Sequence, residues 1–110
     1  MSTVFDRERL LEQIQDASLV EELLVLFSVS LRQHIAALQE AAEARCIQSA
    51  QRAVHSIKGI SGTIYCKDLH RTASDVDQAL KSGDMKHDAL IQLRDAAQDV
   101  LDTLGSGSSA

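Results

Sequence analysis

The sequence predicts an all-α fold: an antiparallel four-helix bundle with a short additional helix at its N-terminus. Three observations carry that prediction. Apolar residues recur at helical spacing through four long segments. The chain contains no proline, so long helices run without a forced break. Its residues are 45% hydrophobic but only 3% aromatic, so the core is aliphatic, as helical bundles favour. A length of 110 residues suits a single domain. We place the bundle over residues 1–104 and a flexible Gly/Ser tail over residues 105–110.

Asp6 is placed to cap a first short helix from Arg7 to about Gln15, with Phe5 before the cap and Leu10, Leu11 and Ile14 as its stripe. The piece Gln15-Asp16-Ala17-Ser18 reads as a turn. Ser18 and Glu21 have the form of a capping box, in which each side chain satisfies a free amide at the helix start. The second helix is expected from Leu19 to about Ala44. Val20, Leu23, Leu24, Phe27, Leu31, Ile35, Leu38 and Ala42 keep helical spacing along it. No proline or glycine marks its end, and a turn at Glu43–Cys46 is read only from the change of phase at Ile47.

The third helix ends near Ile64 or Tyr65. The fourth is expected from about Lys67 to Lys81, with Leu69, Ala73, Val76 and Leu80 on its core face. Ser82-Gly83-Asp84 closes it, since glycine takes the left-handed conformation that ends a helix. The fifth runs from about His87 to Leu104 on Leu90, Leu93, Ala97, Val100 and Leu104.

Composition also excludes functions. The formal charge is −5, against a general nucleic-acid grip, which needs a basic surface. Phe5, Phe27 and Tyr65 are the only aromatic residues, too few for base-stacking platforms. The longest apolar-rich run, Leu23 to Leu31, is too short to span a bilayer, and no secretory leader is evident. A cytoplasmic, monomeric protein is expected. Cys46 and Cys66 make no zinc pattern and no disulfide scaffold; both are expected as small buried thiols. A carboxylate-bridged di-metal bundle needs Glu-x-x-His pairs on core-facing helices, and the chain has none. His34 is expected as a surface or boundary residue of the second helix, and His70 in solvent. No glycine-rich phosphate loop follows a strand, and no nucleophile and base stand in a hydrolase frame. We therefore expect no metal and no cofactor in this chain.

One stretch remains unusual. On a helix over residues 46–64, Cys46, Ala50, Ala53, Ile57, Ile60 and Ile64 share one face. His55 falls nearly opposite, with Gln48, Gln51, Arg52, Lys58, Gly59 and Gly62. The two glycines each cost a helix roughly 1 kcal/mol relative to alanine, which is reasonable where another backbone must come close. Spacing alone leaves two readings open. His55 and Lys58 are a solvent histidine beside a solvent lysine, or a nucleophile presented to a partner's active site with a cation to offset phosphoryl charge.

Ala53-Val54-His55-Ser56-Ile57-Lys58-Gly59-Ile60-Ser61-Gly62-Thr63-Ile64 resembles the pattern of histidine-containing phosphotransfer domains. That pattern reads His, any residue, Leu or Ile, Lys, Gly, then small residues and an aliphatic one. Leu69, the segment Asp75 to Leu80 and the closing Gly83-Asp84 also resemble the family's next helix. The likeness covers most of the chain, and its specific part lies around residues 53–84. It departs at Tyr65, where the family usually has glycine.

The resemblance implies a phosphorelay intermediate. His55 accepts a phosphoryl group from a receiver-domain aspartate and passes it to another receiver, while Lys58 balances the charge. The resemblance also implies that Gly59 lets the partner approach, while Gln51, Arg52 and Gly62 face the partner on helix geometry. The chain then acts as a carrier without ATP-dependent kinase activity, and magnesium is expected on the receiver. Two other readings stay open: a plain helical interaction module, and the histidine domain of a larger chemotaxis-type kinase, which the Ile-Lys-Gly and Gly62-Thr63 pieces also resemble.

Overall fold

The structure, a computed structural model, describes residues 6–107. Those residues form five helices and no strand: α1 (Arg7–Ile14), α2 (Ala17–Ala44), α3 (Ile47–Thr63), α4 (Lys67–Lys81) and α5 (His87–Gly107). Helix α2 packs on α3, α3 on α4, α4 on α5 and α5 back on α2, which closes an antiparallel four-helix bundle. Helix α1 lies against α2. At 1.5 Å per residue, α2 spans about 42 Å, and the molecule measures 42 × 23 × 20 Å. One helix thus sets the long dimension.

The core is aliphatic, as the composition implies. Leu24, Phe27, Leu31, Ile35 and Leu38 of α2 meet Ala53, Val54 and Ile57 of α3 in one continuous cluster. Leu69, Ala73, Val76 and Leu80 of α4 and Leu90, Leu93, Ala97 and Val100 of α5 complete it. The expected stripes are buried with small shifts, except that Leu11 of α1 is exposed and only Leu10 of that helix is fully buried. Leu23, Ala42 and Ile60 are half-buried at the edge of the core, while Ala41, Val54 and Ser61 take inner places. Val25, Leu26 and Val29 stand exposed on the outer face of α2.

The three turns of the bundle share one construction. After α2, the amide of Cys46 donates to Ala41 O and that of Arg45 to Ala42 O. After α3, Cys66 donates to Ser61 O and Tyr65 to Gly62 O; after α4, Asp84 donates to Ala79 O and Gly83 to Leu80 O. This is the paired closure of a Schellman motif, with its pivot in the left-handed region. The pivots are Arg45, Tyr65 and Gly83, at φ of 55°, 59° and 83°. Two of three pivots are not glycine, so the sequence carries no obvious stop at those turns. Tyr65 occupies a backbone conformation that glycine adopts without strain. Its ring packs against the core, and the Arg9 guanidinium of α1 lies 5.1 Å from the ring centroid.

Four expectations need correction. The start of α2 is capped by Asp16, which accepts from the amide of Leu19 at 3.2 Å. The helix therefore begins at Ala17, and Ser18 with Glu21 forms no capping box; Glu21 instead ion-pairs with Arg7 and ties α1 to α2. Asp6 caps α1 as expected, at 3.0 Å from the amide of Arg9. Cys46 is not a core thiol: it is half-exposed at the N-cap of α3, whereas Cys66, at the N-cap of α4, is fully buried. Helix α5 continues through Gly105, Ser106 and Gly107, where the sequence suggests a tail. The rest of that tail, and Phe5, lie outside the described residues.

Candidate functional site

Helix α3 holds itself against the bundle by Ala50, Ala53, Val54, Ile57 and Ser61. The helical repeat then turns residue 55 away from that face, and His55 is exposed. It opens on a groove of about 600 Å³ along the α3–α4 edge, lined by Gln48, Gln51, Arg52, His55, Asp77 and Lys81.

Lys58 stands one turn beyond His55 and is half-buried rather than free. Its Nζ lies 3.6 Å from Oδ2 of Asp77, which is a residue of α4. The same oxygen lies 3.1 Å from Nζ of Lys81, one turn further along α4. The Asp77 side chain is 3% exposed, and Oδ2 makes no hydrogen bond. Two lysine charges therefore compensate its burial. Arg52 and Lys81 line the groove with His55 and Asp77, and Lys58 reaches the same carboxylate, in a chain whose overall charge is −5. A dianionic phosphoryl group suits that local field.

The remaining sequence-derived candidates separate. Arg52 and Gly59 are exposed beside His55. A Cβ built at Gly59 meets nothing within 4 Å, so nothing in the chain itself requires glycine there. Gln51 was expected to reach outward. It is half-buried, and its Nε2 donates to Leu80 O at 3.1 Å, so its amide ties α3 to α4. Gly62 has an internal reason to be small: a Cβ there lies 3.3 Å from Cδ2 of His70. His70 is accordingly half-buried against α3 rather than free in solvent. His34 is half-buried at the boundary of α2, in a groove shared with Ser49, Arg52 and Ser56.

Sequence reasoning missed Asp77 and Lys81. A signal was present. Position 77 falls between Val76 and Leu80 in the buried stripe of α4, and a carboxylate inside an apolar stripe requires a charged partner. Lys81 is its i+4 neighbour. Among the described residues no cluster of three or more His, Cys, Asp or Glu is placed to hold a metal ion, and no helix is long and apolar enough to cross a membrane.

Comparison with known proteins adds two findings. A family model described as Hpt domain matches residues 22–107. The fold is similar to the crystal structure of the HPT domain from an Hpt sensor hybrid histidine kinase of Shewanella, with a TM-score of 0.78. The two share 20% sequence identity, and the alignment covers 96% of this chain and 94% of that one. No curated protein matches.

Proposed function

The chain belongs to the Hpt domain family, whose place is in two-component phosphorelays, and on that premise we propose that His55 is its phosphoacceptor. His55 takes a phosphoryl group from the aspartyl phosphate of one receiver domain and returns it to the aspartate of another. The observation that carries this reading is the exposure of His55 at the mouth of a cation-lined groove.

The chemistry needs little from this chain beyond presentation. Nε2 of a neutral imidazole attacks phosphorus in line while Nδ1 keeps its proton. A P–N bond forms, the P–O bond of the acyl phosphate breaks, and the receiver's carboxylate leaves with the bonding pair. Such transfer relies on positioning and on balancing charge over the equatorial oxygens. Lys58 supplies that balance from this chain, and a magnesium ion on the receiver supplies it from the other side. Arg52 borders the docking face, and Gly59 leaves room for the receiver backbone. The chain is a phosphoryl carrier; the energy of the phosphoryl group comes from the donor.

The test is direct. Purified chain is mixed with a labelled phospho-receiver, and acid-labile label is followed onto wild type and His55→Gln. Label on the wild type alone supports the proposal. Label on His55→Gln, or none on the wild type with any receiver of its host, overturns it. A plain binding module would associate with its partner and acquire no label.

A further inference from the structure

Beside Lys81, α4 contributes a carboxylate to the site, and carboxylates repel phosphoryl groups. Asp77 is nevertheless buried beside the groove that His55 lines, and its Oδ2 serves two lysines at once, at 3.6 Å and 3.1 Å. That oxygen has no hydrogen bond to anchor it otherwise. A buried carboxylate whose Oδ2 has no hydrogen bond and is shared by two lysines is poorly explained by stability. Replacing a buried ion pair by apolar packing is often neutral or stabilising.

We propose that Asp77 is a positioning residue that holds Lys58 and Lys81 at the groove and, through its charge, sets how firmly His55 keeps a phosphoryl group. In the resting chain both lysines are drawn to Asp77. A dianion on His55 competes for them, and the carboxylate pulls back. The group is thereby held weakly enough to be handed on. This inference rests on His55 being the acceptor, but its test does not depend on any receiver.

The charge of the trio Asp77, Lys58 and Lys81 can be varied without touching His55. Asp77→Asn raises it by one unit, Lys81→Met lowers it by one, and the double variant restores it. One unit of charge in a partly solvated groove changes an ionic equilibrium by roughly three- to tenfold. The chain is equilibrated with phosphoramidate and ammonium at a fixed ratio. The P–N bond of phosphoramidate breaks as that to Nε2 forms, and ammonia leaves. Occupancy of His55 is read by ³¹P NMR. We expect the occupancy ratio to rise about three- to tenfold in Asp77→Asn, to fall by a similar factor in Lys81→Met, and to return near wild type in the double variant. Opposite shifts that cancel are not produced by a merely structural role. Lys81 is 60% exposed, so Lys81→Met reads out even if Asp77→Asn fails to fold. Unchanged occupancy in Lys81→Met, or shifts of one sign in both single variants, overturns the proposal. If the wild type takes phosphate from phosphoramidate but from no receiver, the relay reading fails while the role of Asp77 is still decided.

Discussion

Gly59→Ala separates what the fold wants from what the function wants. Gly59 lies in the interior of α3 with nothing within 4 Å of a built Cβ. Adding a methyl there removes the helix penalty of glycine, about 0.8–1 kcal/mol, without a clash to offset it. The folded state gains roughly fivefold in population ratio, and the melting midpoint rises by about 4–8 °C for a domain of this size. Gly62→Ala serves as the internal contrast. Its Cβ lies 3.3 Å from the His70 ring, so the gain there is smaller or reversed. If Gly59 is bare to admit a receiver backbone, Gly59→Ala is more stable yet slower in phosphotransfer, and Gly59→Leu slower still. Urea melts followed by circular dichroism give the stability, and timed transfer from a labelled receiver gives the rate. Loss of stability in Gly59→Ala would refute the open-space argument. Unchanged rates in both variants would remove the glycine from the docking surface.

Two further outcomes follow from burial. Ile57→Ala, at a side chain with no exposure between His55 and Lys58, is expected to destabilise the bundle by about 2–5 kcal/mol in the same urea melts. An effect under about 1 kcal/mol would place Ile57 outside the core. The two thiols should differ. The side-chain hydrogen bond with Ser49 is the chief cause that lowers the Cys46 pKa, whereas burial pushes that of Cys66 from its ordinary 9.0 up to about 12. Iodoacetamide at neutral pH therefore labels Cys46, and Cys66 only on unfolding. Because the folded pKa of Cys66 is the higher, its contribution to stability is intact below pH 9.0 and is lost as pH rises toward about 12. Cys66→Ala should flatten that alkaline decline relative to wild type; identical pH profiles would contradict it.

The helices were legible because their apolar stripes are long and regular. Lys67–Lys81 follows from Leu69, Ala73, Val76 and Leu80 alone, and these residues are buried. What pattern could not supply lies where backbone geometry or a distant partner decides. The pivots Arg45 and Tyr65 are left-handed without being glycine, so the end of α2 carried no composition signal. Asp16 outcompeted Ser18 for the start of α2 because its carboxylate reaches the amide of Leu19. At the site, the exposure of His55 followed from its place opposite the stripe. The fate of Gln51 did not, because its acceptor, Leu80 O, lies 29 residues away in the chain. Lys58 could be placed on the right face, but its tie to Asp77 depends on how α3 and α4 pack.

The most direct measurement of the central claim is the position of phosphorus after exposure to a phosphorylated receiver. The chain offers four histidines: His55 and His87 are exposed, His34 and His70 half-buried. A ¹H–³¹P correlation spectrum should place the phosphoryl group on Nε2 of His55 alone. Phosphorus on His34, His70 or His87, or on no histidine at all, would contradict the account.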